Sequence, residues 1–385
     1  MNRKNLLILA GVAALLLVAG IWLSSRRAAQ QGQVAGGPVF TDLKEAVGDV
    51  QEIRFSKGDG SRTTLRRTPA GWTVVERQYP ADPARVRELL IGLVGMQIVE
   101  HKTSDPANYH KLGVESPDTP AATSTLIEVV AGKKTWPLIV GKGAEGRAAY
   151  VRKPDQKVSE LVEPAVSADP DQKRWLDRLI VDLPGAGIHD IAVKPATGPA
   201  YLLTRAKRGD PDLALSPIPK GRTAASSMSV DGQAQTLAAF NFDEVRAPSA
   251  AAVATDHATF RTFDGQVFEF AGRRDGDKAF ITVNASKDAA LAAQFAPPAV
   301  APAAAAPATV GPAATQAVAP VSAAAAQPAD VERLAARARG VEYEVPVYKY
   351  DALFKPQEEL LEKKAEPPVA AKPPSGKKTL PTKKQ

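Results

Sequence analysis

The chain contains no cysteine. That single absence excludes disulfides, zinc–thiolate centres and thiol nucleophiles together, and leaves the folded parts to stand on their apolar cores. Aromatic residues are sparse at 6%, and only four histidines occur, at 101, 110, 189 and 257. No two of them have the spacing of a helical metal pair. His101 and His110 are nine apart across an expected strand-to-helix turn, and solvated surface positions account for them better than shared metal ligation. G-x-S-x-G and the Walker pattern are missing, S-x-x-K occurs only within the basic tail at Ser375–Lys378, and the G-x-G-x-x-G string Gly141–Gly146 lies between two expected strands instead of opening a helix, so no sequence signal supports a serine nucleophile or a phosphate cradle. Lys142-Gly143-Ala144-Glu145-Gly146 and Gly58-Asp59-Gly60 read as hairpin connections. Excess acid is lacking too, with a net charge of +7. The positive charge is confined to the ends. Lys363–Gln385 carries seven lysines and one glutamate, and Arg3, Lys4, Arg26 and Arg27 flank the start, so the chain between is net acidic. A phosphate-binding surface would be basic, and nucleic acid is therefore not an expected partner.

One long apolar run is present. Leu6–Leu23 is 18 residues without a charge or polar side chain, about 27 Å as a helix and close to the roughly 30 Å hydrocarbon core of a bilayer. With Trp22 near one interface it reads as a membrane anchor within residues 1–27. It exceeds the usual apolar stretch of a cleaved signal, and no clear small-x-small site follows. Arg3, Lys4 and the amino group outweigh Arg26 and Arg27, which places the N-terminus in the cytoplasm and the bulk of the chain outside a bacterial inner membrane. Residues 28–40, small and glycine-containing, are expected to form a tether.

From residue 41 onward the pattern is α+β. Val50–Phe55, Arg62–Arg67 and Trp72–Val75 alternate as strands. Asp82-Pro83 then supplies a cap and a first-turn proline, and Val86, Leu89, Leu90, Leu93 and Val94 share one helical face. Asp105-Pro106 starts a shorter helix ending near Gly113, and Leu126–Val130, Trp136–Val140 and Ala148–Arg152 are further strands. The order then recurs. Ile188–Val193 echoes the first strand 138 positions later, followed by strands at Tyr201–Arg205 and Asp212–Leu215. A helix is expected over Val230–Phe242, with Leu237, Ala238 and Asn241. Asp243–Arg246 then matches Gln97–Glu100, and strands follow at Thr259–Phe263, Val267–Phe270 and Ala279–Val283. Two duplicated domains of antiparallel strands, each with one covering helix, are expected over residues 41–183 and 184–295. Residues 296–330 hold 17 alanines and 7 prolines among 35, a composition that builds no core and is expected to be extended. Residues 331–362 are expected to complete the second domain, with a helix over Val331–Arg339, an extended run Tyr343–Tyr350 and a last helix Asp351–Lys364. The basic tail 363–385 is expected to be disordered, free in solvent or drawn to anionic lipid headgroups or acidic wall polymers.

Candidate chemistry is thin. The carboxylate pairs Asp42/Glu45 and Asp169/Asp171 lie in solvated stretches, and Trp72, Trp136 and Trp175 adjoin apolar positions that point to core packing. Tyr343, Tyr348 and Tyr350 are the candidate partner-binding residues. On an extended run Tyr348 and Tyr350 would share a face, with Tyr343 opposite; core packing is the competing account. No catalytic, cofactor-binding or metal-binding residue is expected, and no cofactor.

Several pieces together resemble a known family: the single N-terminal anchor, the Gly71-Trp72 strand, Tyr79-Pro80-Ala81-Asp82 leading into an apolar helix, Leu112-Gly113-Val114 with Pro117, and Glu344-Val345-Pro346-Val347-Tyr348-Lys349-Tyr350-Asp351-Ala352-Leu353. They resemble the bacterial family called domain of unknown function 4340, whose members are found near permeases and auxiliary subunits of gliding-motility-type ABC transporters. The resemblance covers most of Thr41–Leu361. It implies an envelope location and a transporter-associated neighbourhood; together with the topology this leads to the expectation of a non-enzymatic, membrane-anchored accessory or scaffolding component of an ABC-type transport complex, with a permease or auxiliary subunit as partner. Two alternatives stand beside it: a cell-wall or polysaccharide binder, and a hydrolase whose carboxylates converge in a cleft between the repeats.

Overall fold

A computed structural model of the chain describes residues 36–119, 121–226, 230–249, 253–296 and 331–362. The expected anchor (1–27), most of the tether, nearly all of the 296–330 insertion and the 363–385 tail lie outside the described residues. Among the described residues no helix is long and apolar enough to cross a membrane. The chain divides into two compact units, one of Met1–Leu179 with Phe242–Arg246, the other of Ile180–Asn241 with Ala247–Gln385.

The first unit is an antiparallel sheet with one main helix. After a single turn, α1 (Leu43–Ala46), come the strands β1 (Glu52–Lys57), β2 (Arg62–Thr68), β3 (Gly71–Val74) and β4 (Tyr79–Pro80). They alternate as the sequence suggests, with Ile53 and Phe55 buried and Arg54 between them in solvent. Helix α2 (Pro83–Gly95) follows the signal written at its start: the Asp82 carboxylate accepts from the backbone N–H groups of Ala84 and Arg85, and Pro83 occupies the first turn. Val86, Leu89 and Leu93 are its buried stripe. Then come β5 (Gln97–His101), α3 (Tyr109–Leu112), β6 (Thr125–Ala131), β7 (Lys134–Gly143), β8 (Ala149–Arg152) and β9 (Ser159–Glu163), in the spatial order β4-β3-β2-β1-β6-β7-β8-β9-β5. Phe55 stacks on Trp175 in the core at 4.7 Å between ring centroids.

The second unit repeats the central strand order. Beyond β10 (Leu179–Val181), β11 (Ile188–Lys194), β12 (Tyr201–Thr204), β13 (Ala214–Ser216), β14 (Phe240–Asn241) and β15 (Glu244–Arg246, counted with the first unit) lie β16 (Asp256–Thr262), β17 (Gln266–Asp275) and β18 (Lys278–Lys287). Helices α4 (Ala289–Gln294), α5 (Val331–Ala338) and α6 (Val347–Leu353) enclose the last strand, β19 (Glu342–Val345). The run β13-β12-β11-β16-β17-β18 matches β3-β2-β1-β6-β7-β8 strand for strand. Register agrees as well. Ile53 pairs with Leu65 on one side and Val129 on the other; Ile191 pairs with Leu203 and Phe260, and both Ile191 and Leu203 stand 138 positions after their counterparts.

Four expectations are corrected in this unit. In place of a helix over Val230–Phe242 there is a 3-10 helix, Gly232–Leu237, followed by β14. Ala239 takes a left-handed backbone, φ 45°, which turns the chain out of the helix and donates its N–H to Asp182 at 2.8 Å. The strand expected over Asp212–Leu215 begins only at Ala214, where pairing with Thr204 starts. The extended run over Tyr343–Tyr350 stops at Val345. Pro346 has no N–H for the ladder, and its carbonyl instead accepts from Lys349 and Tyr350 at 2.9 and 3.1 Å to open α6. The helix expected over Asp351–Lys364 is consequently α6, closed before Pro356, followed by a 3-10 turn, Gln357–Leu360.

Candidate functional site

With Val86 and Leu93 facing the core, helix α2 turns Arg85, Arg87, Glu88 and Ile91 outward. Ile91 is 65% exposed and stands next to the partly buried Gly92 and the buried Leu89 and Leu93. Beside it runs Pro164–Ser167, the segment that follows β9. Gly92 permits this approach, because a Cβ there would stand 2.7 Å from Val166 Cγ1. The segment is held from the other side by Arg147, whose carbonyl accepts the Ala165 N–H at 2.6 Å. Trp175, fixed by its ring stack on Phe55 and by donation of its indole N–H to the Asp169 carbonyl at 2.8 Å, closes the end. The result is a groove of about 690 Å³ with Leu89, Ile91, Val166 and Trp175 in its wall.

Arginines surround that apolar surface. Arg85 pairs with Asp82 and Arg174 with Asp169, each at 3.2 Å. Arg87 and Arg147 have no carboxylate partner among the described residues, and Glu88 is the one acidic side chain in the lining. Such a surface offers apolar contact with uncompensated positive charge at its margin, the chemistry for a ligand that is both partly apolar and anionic.

A second, more polar pocket of about 500 Å³ belongs to the second unit, where Tyr350, Phe354, Arg274 and Asp351 meet Asp256. Asp256 is buried, and its carboxylate accepts from Tyr350 Oη at 2.7 Å, Thr255 Oγ1 at 2.8 Å and the Ala196 N–H at 2.8 Å. Burial, then the hydrogen bond and charge of Asp256, push the Tyr350 phenol well above the usual tyrosine range. The phenol is thus a fixed donor. Arg274 pairs with Asp351 across the mouth.

The three tyrosines do not form a stripe. Tyr343 is fully buried on β19, Tyr350 is buried in the Asp256 cluster, and Tyr348, two residues along a helix from Tyr350, is 70% exposed. The carboxylate pairs are engaged in structural work. Asp42 binds Lys134 and accepts the Trp136 indole N–H at 2.8 Å, bonds that hold its carboxyl below the usual range, while Glu45 stands in solvent on α1. Asp169 accepts the Asp171 N–H, and Asp171 caps the turn at Lys173. His101 faces Glu160 at 3.5 Å, whereas His110 sits exposed on α3 and His257 exposed on β16. His189 contacts Asp190 at 2.6 Å, with Arg261 on the other oxygen of that carboxylate at 2.8 Å. Among the described residues no group of three or more histidine, aspartate or glutamate side chains is placed to hold a metal ion. The groove itself escapes the sequence reading; the signal available was Ile91 followed by Gly92 and Gly95 on the polar side of an amphipathic helix.

No curated protein and no solved structure matches the chain. Residues 72–261, a stretch that carries every residue lining the groove, match the family model described as a domain of unknown function (DUF4340).

Proposed function

We propose that the protein is a non-enzymatic scaffold of the bacterial envelope, anchored by Leu6–Leu23 in the inner membrane with its N-terminus in the cytoplasm. Its two sheets, read as a duplicated α+β domain, serve as an accessory surface of an ABC-type transport complex. The observation that carries this reading is the groove beside α2, with Ile91 exposed in its wall and arginines at its margin. A contiguous apolar wall rimmed by charge, here Leu89, Ile91, Val166 and Trp175 beside the arginines, supports reading the groove as a surface that another protein covers. The matching strand order of the two sheets supports the duplication, and the 18-residue apolar run supports the anchor.

A photo-crosslinking amino acid placed at Ile91 in the full chain, in membranes of its native host, tests the proposal. Crosslinks to an integral-membrane transport subunit are expected. If irradiation yields no adduct with a membrane protein, while the same probe at a buried position reports a folded chain, the scaffold reading fails.

A further inference from the structure

In the second unit a helix of the same chain packs along the element that, in the first unit, carries the exposed Ile91. Helix α2 stands between β3 and β5 in the first unit; the 3-10 helix Gly232–Leu237 has the corresponding place after β13. That 3-10 helix is packed by α6, to which Gln233 is tied by donation from Nε2 to the Ala352 carbonyl at 2.5 Å. The covering helix brings aromatic rings together with a carboxylate, Asp351, which pairs with Arg274. No described segment of the first unit lies over Ile91 in the same way.

We infer that the groove of the first unit takes an acidic, extended peptide segment of a partner protein. The inference rests on the scaffold reading above and adds the chemistry of the partner. Charge decides the class. Arg85 and Arg174 are already matched by Asp82 and Asp169, but Arg87 and Arg147 are not matched, and Glu88 alone opposes them. An acidic segment supplies the missing charge, and apolar side chains at alternate positions meet Leu89, Ile91, Val166 and Trp175. The segment Pro164–Ser167 also favours an extended ligand. Its Ala165 N–H is taken by Arg147, while the main chain of Val166 and Ser167 makes no hydrogen bond among the described residues and is available to an added strand. An open groove of this size fits a peptide of a few residues, and a basic segment such as the chain's own 363–385 tail is disfavoured by the same arginines.

The test uses the full chain in nanodiscs of neutral lipid and a fluorescein-labelled peptide of alternating glutamate and valine, read by anisotropy. Saturable binding is expected, weakening about tenfold or more in Arg87→Glu/Arg147→Glu and again in high salt, because the attraction is electrostatic and exposed. A lysine–valine peptide should not bind. Three results would overturn the inference: no saturation with the acidic peptide, equal affinity in the double variant with its near-ultraviolet spectrum unchanged, or displacement of the peptide by phosphatidylglycerol vesicles, which would assign the groove to lipid. The crosslink at Ile91 separates the two levels of the argument. An adduct that persists undiminished in Arg87→Glu/Arg147→Glu removes the acidic class and leaves the scaffold, whereas absence of any adduct removes the scaffold whatever the peptide does.

Discussion

Gly272→Ala should destabilise the second unit by displacing two packed aromatic rings. Gly272 lies on β17 between Asp256 and Ile281 of the neighbouring strands, and its carbonyl accepts the Thr255 N–H at 2.9 Å, so the backbone at this point is held on both sides. A Cβ built there would stand 2.3 Å from Phe354 Cε2, 2.6 Å from Phe354 Cζ and 2.8 Å from Tyr350 Cε2. Carbon atoms in contact prefer roughly 3.5–4.0 Å, so the Phe354 ring must move by about 1 Å or more. It packs against Tyr350, with centroids 4.7 Å apart, and the Tyr350 hydroxyl is pinned to Asp256 at 2.7 Å. Overpacking of a rigid site costs about 1–3 kcal/mol. If the Tyr350–Asp256 bond is broken in the process, a further loss of roughly 1.5–3 kcal/mol follows, because the acceptor is a buried carboxylate. For a unit of this size each kcal/mol lowers Tm by roughly 2–4 °C, which predicts a fall of about 2 °C at the least and roughly 5–24 °C if both terms act. Differential scanning calorimetry reads it. The decisive comparison is with Phe354→Leu, which alone opens a void, and the double variant Gly272→Ala/Phe354→Leu. The smaller side chain should accommodate the new methyl, so the double variant should lose less than the sum of the two single losses. An unshifted Tm for Gly272→Ala, or strict additivity in the double variant, would refute the steric argument.

Three further expectations come from the same contacts. Tyr350→Phe removes one donor from the buried Asp256 carboxylate and should cost roughly 1.5–3 kcal/mol by urea unfolding, while Tyr348→Ala, on the exposed side of α6, should change stability by no more than about 0.5 kcal/mol. Asp82→Ala strips the cap from α2, where one carboxylate oxygen accepts from Ala84 at 2.9 Å and Arg85 at 3.3 Å, and should cost about 1 kcal/mol, with Asp82→Asn retaining most of it. Glu160 is buried on β9, and burial raises its carboxyl above the ordinary 4.5 against the opposing pull of His101 and Lys153. An acid raised on folding binds more protons in the native state, so stability is lost as pH rises from the ordinary carboxylate value through the folded one, and the loss persists at neutral pH. Glu160→Gln should therefore raise Tm at about pH 7 and match the parent chain near pH 3.5; an equal gain at both pH values would refute the assignment to ionisation.

What could be read from the sequence was whatever local chemistry decides. The alternation around Ile53 and Phe55, the Asp82-Pro83 cap and the buried stripe of Val86, Leu89 and Leu93 all appear in the structure as written, because each is set by neighbours within a turn or a pleat. Pro346 was the point of failure. A run of tyrosines and valines has high strand propensity, and one missing N–H in its middle outweighed that preference and opened a helix, moving Tyr348 and Tyr350 from a shared face to different ones. The groove was illegible for a different reason. Its two walls, α2 and Pro164–Ser167, are separated by some 70 residues, and they meet only because Gly92 has no side chain. Nothing in a helical wheel marks Ile91 as more than a stray exposed aliphatic.

Comparison of the two units carries the point further than either sheet alone. Six strands recur in one order, and the register repeats to the residue between the first two, Ile53 with Leu65 and Ile191 with Leu203. A shared framework of this kind poses the same physical problem twice: a helical element laid beside the sheet must have its outer side either polar or covered. In the second unit α6 of the same chain packs against the helical element, and Gln233 donates to the Ala352 carbonyl. In the first unit the outer side of α2 carries Ile91 and unmatched arginines, neither a fully polar surface nor a covered one. The proposal of a partner at the groove rests on this contrast, since the element in the corresponding place of the second unit is packed by α6 and tied to it by the Gln233–Ala352 hydrogen bond.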